Sequence, residues 1–266
     1  MGQMNSRGSV SVVTPVFNQF IHTERFLGCL LENSTSLKEV IIVDNHSSDH
    51  TSEVLAKYRP LFEQIDIAFH VISNSENRGY GRACNQGIAH ASGSFVAISN
   101  NDVWLMPNWD GILIKKLTAL DADMVGPYFD ENLSDVTLAP ARARRFLARN
   151  HGKYRREYVP VLSFFKKVSL DKLGGFDERF FLTYEDADLH KRMNDLGMKY
   201  FKVADCYGWH SSKGTRAASK LPADYEIEGL RLYMEKWGFD PRTHEHTYSG
   251  RLKRRWQKIK DGLGLF

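Results

Sequence analysis

Between Phe176 and Leu189 the chain reads FDERFFLTYEDADL, five carboxylates interleaved with four aromatic rings and two leucines. A solvated acidic face carries fewer large apolar groups, and a core strand carries fewer charges. The mixture fits a cleft wall, with apolar groups inward and carboxylates aimed at a space. Glu185 and Asp186 open a helical pattern in which Leu189, Met193 and Leu196 fall on one stripe. Carboxylates in a first helical turn sit where the helix dipole favours the charged form. An ionised carboxylate beside a pocket is what a general base needs. The alternative at this level is ordinary acidic enrichment at a helix N-terminus.

Such a group needs a scaffold, and the preceding residues supply one. Ser9 to Phe17 (SVSVVTPVF) is β-branched and apolar, as a buried parallel strand is, and a helix is expected from there to about Glu32. Val40–Val43 is a second such strand ending at Asp44-Asn45, followed by a helix over Thr51–Tyr58. Asp66–Ile72 is a third strand, Asn74–Gly81 a Gly/Asn loop, and Arg82–Ala91 a helix. Ser94–Ser99 is a fourth strand ending in Asn100-Asn101-Asp102. Trp109–Leu120 reads as a helix, and Met124 starts a fifth strand. This alternation predicts an α/β fold, a Rossmann-like, mainly parallel sheet with helices on both faces. Ligands of such sheets bind outside the carboxyl ends of the strands. Thr14 and Asn18, Asp44 and Asn45, and Asn100, Asn101 and Asp102 all fall at those ends, so three strands deliver polar groups to one rim. A nucleotide-type ligand suits that rim. No G-x-G-x-x-G follows the first strand and no G-x-x-x-x-G-K-[ST] occurs, which disfavours dinucleotide and P-loop sites.

After Tyr128 the alternation stops, and residues 130–158 are expected to form a long loop or lid. A strand over Val159–Phe165, a short helix over Ser169–Leu173 ended by Gly174-Gly175, the acidic stretch with its helix to Leu196, and a short strand Tyr200–Val203 follow. Gly197 is placed to cap that second helix.

With 266 residues and 42% hydrophobic content the chain can bury one substantial core. No run of about eighteen apolar residues occurs, so no transmembrane helix is expected. The polar opening Met1–Ser9 argues against secretion. Cys29, Cys84 and Cys206 lack metal-ligand spacing and read as reduced thiols of a cytoplasmic protein. The net charge of +4 hides about +6 between Arg142 and Glu157 and about +5 between Arg251 and Asp261, on an otherwise acidic body. A nucleic-acid binder would spread its basic charge over a folded face, so no nucleic acid is expected as a partner.

Six motifs stand in order along the chain: VVTPVFN (12–18), VDNHSSD (43–49), NRGYG (77–81), NND (100–102), GGFDE (174–178) and YEDADL (184–189). Together they resemble the family 2 glycosyltransferases of the GT-A fold, over roughly Val10 to Arg216. The resemblance is nearest to bacterial enzymes of surface-polysaccharide synthesis, rhamnosyltransferase-like enzymes among them. It implies inverting transfer of a sugar from a nucleoside-diphosphate donor to a hydroxyl of a glycan or lipid-linked acceptor. Asp186 matches the base position, and Glu185 would orient it or touch the acceptor. Thr14, Pro15 and Asn18 match first-strand contacts to the nucleoside. Asp44 matches the carboxylate that accepts from uracil or thymine N3–H, which favours UDP- or dTDP-sugars. Asn77, Arg78 and Gly79 match the loop over the diphosphate.

Asp102 matches the carboxylate that holds a divalent cation, Mn²⁺ or Mg²⁺. Asn100 departs from the double-Asp form of that motif, and Asn101 stands where relatives carry Pro. His210 matches a second ligand of many relatives, with a structural hydrogen-bonding role as the alternative. Lys213 and Arg216 are candidates for clamping the diphosphate or are solvated surface charge.

One GT-A domain over 1–250 is expected, with a nucleotide-sugar half near 9–128 and an acceptor half near 158–216. The segment 251–266 places Leu252, Trp256, Ile259 and Leu263 at helical spacing among Lys and Arg. It reads as a basic amphipathic tail for peripheral contact with the cytoplasmic face of a membrane, or as a helix packed on protein. A sugar-1-phosphate nucleotidyltransferase would need a Gly-rich basic loop after the first strand, and TPVFN is not one. A non-catalytic nucleotide-sugar-binding protein is the remaining alternative, with Asn100 in its favour.

Overall fold

The structure is a computed structural model that describes residues 8–131, 135–211 and 224–242. Its first half alternates strand and helix. β1 (Val10–Val16) precedes α1 (Phe20–Asn33), β2 (Leu37–Asp44) precedes α2 (Thr51–Glu63), and β3 (Ala68–Ser73) precedes α3 (Tyr80–His90). Then come β4 (Phe95–Ser99), a short β5 (Val103–Leu105), α4 (Trp109–Ala119) and β6 (Met124–Asp130). The second half contributes α5 (Ala139–Asn150), β7 (Tyr154–Arg155), β8 (Leu162–Lys166), α6 (Lys167–Leu173), α7 (Glu185–Asp195), β9 (Tyr200–His210) and α8 (Tyr225–Trp237).

Among the described residues nine strands make one sheet in the order β3-β2-β1-β4-β8-β6-β9-β5, with β7 paired to β9. β1, β2, β3, β4, β6 and β9 run one way, while β8, β5 and β7 run against them. Val40 to Val43 are each fully buried, because helices cover both faces and leave no polar side to the strand. α3 lies so close to the sheet that a side chain on Gly87 would collide with Val13. α6 packs on β4 and β8, and α4 on β6 and β9. One apolar core runs from Val10 to Cys206, and all three cysteines are buried free thiols. Pro15, unusual in a central strand, lies past the last β1–β4 pair, Val13 with Ile98, where the β4 ladder has already ended.

The expected long loop after Tyr128 is instead largely helical. Asp135 Oδ1 accepts from Thr137 N at 2.9 Å, and Pro140 sits in the first turn of α5. Ala139 and Ala143 are buried with Tyr207 and Trp209, and Phe146 packs beside them on Tyr128. The buried stripe is mostly alanine, so its helical period carries little hydropathy signal. β9 is also longer than the short strand expected, continuing through Cys206 and Trp209 to His210. α2 runs past Tyr58 to Glu63, drawn on by the fully buried Phe62 despite Pro60. α8 was not anticipated. Among the described residues no helix is long and apolar enough to cross a membrane. Lys213, Arg216 and the tail 251–266 lie outside the described residues.

Candidate active site

At the rim where β1, β2 and β4 end, the polar side chains brace one another. Thr14 is wholly buried, and its hydroxyl has no hydrogen-bond partner among the described residues. Pro15 follows, half-buried. Asn18 and Gln19 both take positive φ (54° and 63°) in the turn to α1. That turn is strapped to the loop after β2: Asn18 N donates to Ser47 Oγ (2.8 Å) and Asn18 Oδ1 accepts from Ser48 N (2.8 Å). Asp44 accepts from Ser47 N through Oδ1 (2.9 Å).

Asn45, buried, organises the next loop. Its amide donates to Asn77 Oδ1 (2.8 Å) and Gly79 O (3.2 Å), and its oxygen accepts from Asn74 Nδ2 and Arg78 N, both at 3.0 Å. The Arg78 side chain is left exposed. Gly79 has φ 84°, and a Cβ there would collide with the Phe181 carbonyl.

Asp102 and His210 meet because of strand register. Val103 of β5 pairs with His210 of β9, and Ser211 N donates to Asp102 O (3.0 Å). His210 Nε2 lies 3.2 Å from Asp102 Oδ1, and Nδ1 lies 3.2 Å from Glu131 Oε1. Burial alone would lower the imidazole's pKa, but the bonds to Asp102 and Glu131 outweigh it and raise the pKa to about 9. Asn101 is buried and donates to Thr23 Oγ1 (2.9 Å), tying the turn to α1. Asn100 Oδ1 accepts from Tyr80 Oη (3.3 Å).

Among the described residues no three His, Cys, Asp or Glu side chains converge on one metal position. Glu131 binds the far nitrogen of His210 and so does not converge with Asp102. The two that remain, Asp102 and His210, are oxygen and nitrogen donors of types that hold divalent cations, and their 3.2 Å contact here is that of an ion pair. Glu131, on the far ring nitrogen, stands where an outer carboxylate would orient the imidazole if it were a ligand.

Asp186, in the first turn of α7, is half-buried and accepts from Tyr158 Oη at 3.1 Å. Tyr158 is held by stacking on His190 (5.4 Å between centroids), itself bonded to Tyr200 Oη at 2.7 Å. Desolvation raises the Tyr80 hydroxyl's pKa, and Cys84 and Asp186 raise it further. Tyr80 bonds Asn100 through its hydroxyl and Phe181 O through its backbone N (2.8 Å), and so connects the Asn100–Asp102 turn with the loop that precedes Asp186. Glu185 is buried. Asp188 is fully buried and points elsewhere, to Arg192 (2.9 Å) and Lys236 (2.5 Å).

A sheet with this order and a braced polar rim invites comparison with known proteins. The family model described as Glycosyl transferase family 2 matches residues 11–173, more than half of the chain. The chain belongs to this family. A Mycobacterium tuberculosis N-acetylglucosaminyl-diphospho-decaprenol L-rhamnosyltransferase is 26% identical over 257 residues, covering 81% of each chain. A Bacillus subtilis protein assigned as a teichuronic acid biosynthesis glycosyltransferase, TuaG, is 36% identical over 101 residues. That match takes in 38% of this chain and only 38% of the relative.

Among solved structures, Staphylococcus aureus TarS 1–349 superposes with TM-score 0.62 at 16% identity, covering 86% of this chain and 65% of that one. The Pyrobaculum calidifontis mannosyltransferase PcManGT, with GDP-Man and Mn²⁺, gives TM-score 0.62 at 17% identity, covering 98% and 82%. The fold is GT-A.

In this family member the structure brings together Asn18 with the post-β2 loop, Asn77–Gly79 with Asn45, and Asp102 with His210. It also shows groups that sequence reading passed over. Tyr80 lies inside a quoted motif, so a signal was present. Tyr158 and Glu131 stand in segments without pattern. His22, one residue before the Thr23 that binds Asn101, has its pKa lowered chiefly by burial, while Asp102 raises it. Only pairing across the fold reveals these.

Proposed function

We propose that this family 2 glycosyltransferase inverts the anomeric centre as it moves a sugar from a UDP- or dTDP-activated donor to a hydroxyl of a glycan or lipid-linked acceptor. The setting is cell-surface polysaccharide synthesis at the cytoplasmic face of a bacterial membrane. The observation that carries the reading is that Tyr80 joins two regions: its backbone N donates to Phe181 O, in the loop before Asp186 (2.8 Å), and its hydroxyl donates to Asn100 Oδ1 (3.3 Å), in the turn that bears Asp102. Asp186 is held by Tyr158 in the first region, and Asp102 is paired with His210 in the second. The 251–266 tail is the candidate for membrane contact.

Asp186 takes the acceptor hydroxyl's proton as its oxygen attacks the anomeric carbon from the side opposite the diphosphate. Tyr158 holds the carboxylate in position, and Glu185 lines the acceptor side. Thr14, Pro15, Asn18 and Asp44 hold the nucleoside, with the Asp44 carboxylate accepting from the base N3–H. The Asn77–Gly79 backbone and the Arg78 guanidinium hold the diphosphate, where a charged hydrogen bond is strongest. Lys213 and Arg216 are assigned the same task. A divalent cation, Mn²⁺ or Mg²⁺, held by Asp102 and His210 would neutralise charge on the leaving diphosphate. The rhamnosyltransferase relative and the sugar-nucleotide complexes of the structural neighbours support this class of substrate.

One observation favours a second reading, a nucleotide-sugar-binding protein of little turnover: an amide, Asn100, stands at the first position of the turn and accepts from Tyr80. Incubation with a panel of UDP-, dTDP- and GDP-sugars, with Mn²⁺ or with EDTA, separates the two. Metal-dependent release of nucleoside diphosphate from one donor is expected. Tight donor binding with no release would favour the second reading, and no binding of any nucleotide would sink both.

A further inference from the structure

The loop that presents Glu185 and Asp186 is gripped from two sides. On one side, Lys236 Nζ of α8 lies 2.7 Å from Asp177 and 2.5 Å from Asp188, carboxylates at the two ends of the 177–188 segment, which runs from the loop into the first turn of α7. Asp188 also accepts from Trp237 Nε1 and Arg192 Nε, both at 2.9 Å. Arg192 in turn donates to the carbonyls of Leu173 and Gly175 at 2.7 Å each. Two helical turns before Lys236, α8 lies directly on the residues preceding Glu185. A methyl on Gly229 would collide with Thr183 Oγ1, and it would stand 2.9 Å from Thr183 O and 3.1 Å from the Tyr184 ring. Tyr233 fills the space between, buried in one cluster with Phe180 and Ala187.

On the other side, Tyr80 N donates to Phe181 O at 2.8 Å, where Gly79 of the diphosphate loop permits the approach. Tyr184, last residue before α7, is held at φ 67°, a left-handed conformation that is strained for a non-glycine residue and persists under such constraint.

Burial of apolar surface would anchor α8 without any lysine. The lysine does something narrower. Its ammonium bridges two carboxylates that are each also paired with an arginine (Asp177 with Arg179, Asp188 with Arg192), and so ties together two ion pairs, one of them on a fully buried carboxylate two residues from Asp186. We propose that Lys236 and Gly229 are positioning residues for glycosyl transfer: α8 closes the 177–188 loop against the Gly79 loop and so sets where the Asp186 carboxylate meets the acceptor hydroxyl. The kinetic part of this inference rests on Asp186 as the base; the structural part does not. Both residues lie beyond residue 173, where the family match ends.

The test uses the full chain as wild type, Lys236→Met, Gly229→Ala and Lys236→Arg. Methionine keeps an unbranched stem beside Trp237 and removes the charge. Hydrogen exchange is expected to quicken about tenfold or more at the amides of 180–184 in Lys236→Met and Gly229→Ala, while β1 and β4 amides hold their rates. With the donor in hand, donor Kd stays within about twofold. Transfer kcat falls by about ten- to a hundredfold, consistent with a loosened base, and a larger share of donor is lost to water. Lys236→Arg restores most of the transfer.

Unchanged exchange at 180–184 would overturn the inference, whatever the enzyme's activity. So would exchange that rises uniformly across the sheet, or a donor Kd that weakens in step with kcat. A wild-type chain that turns over no donor would defeat the base assignment alone, since the exchange result still decides the clamp.

Discussion

The donor rim and the 177–188 loop hold their polar groups by different physics. At the ends of β1 and β2, and in the loop that follows β3, the bracing groups are mostly neutral: Asn18 to Ser47 and Ser48, Asn45 to Asn74, Asn77 and Gly79. The loop is locked by charge: Asp177 and Asp188 to Lys236, Asp177 to Arg179, Asp188 to Arg192. A neutral network costs little to rearrange around a ligand that brings its own charge, and it leaves Arg78 exposed to meet a diphosphate. A fully buried carboxylate such as Asp188 responds poorly to distortion, because any loss of its cationic partners leaves its charge less compensated in a dry site. On the function proposed above, the difference suits one region to accept a mobile, highly charged donor and the other to hold a base still.

The largest break in that comparison comes where charge is placed at the rim itself. Asp102→Ala is expected to lower turnover by about a thousandfold, the scale of a lost electrostatic contact to a leaving group. Isothermal titration should show the metal dependence of donor binding lost with it. Gly79→Ala strikes the contact between the two regions. A left-handed φ of 84° and a collision with the Phe181 carbonyl should cost about 1–3 kcal/mol of stability, seen as a lower urea midpoint with an unchanged slope. Arg78→Met sharpens the contrast: donor Kd should weaken about tenfold or more while acceptor KM holds, as expected for losing a charged hydrogen bond.

The smallest effect is on pH. The Arg179 guanidinium, helped by Lys236, holds the Asp177 carboxyl well below the usual range although burial opposes it. A depressed folded pKa contributes stability above the ordinary value near 3.8, and that contribution is lost as the pH falls below it. Asp177→Asn should therefore flatten the acid limb of a stability–pH curve below about pH 4, with no change in its shape above pH 7.

The legibility of the molecule follows the same division. β1, β2 and β4 were visible because strands buried on both faces are apolar throughout, and polar residues at their ends mark the rim. α5 was not, because its buried stripe is alanine and its surface arginine, a pattern that reads as polar loop. β9 beyond Val203 and its His210 could be named only through a motif. Their place beside Asp102 depends on the register of β9 against β5, which no local pattern encodes. Lys236 is silent for the same reason. A lysine on a helix is ordinary until the fold sets it between two carboxylates, one of them 59 residues earlier in the chain.

The central claim is that Asp186 activates the acceptor while the donor is held elsewhere. Donor Kd and transfer rate measured together for wild type and Asp186→Asn test it most directly. Binding within about twofold of wild type, with transfer reduced by at least about a hundredfold, is the predicted result. Transfer that survives the substitution, or donor binding that disappears with it, would contradict the account.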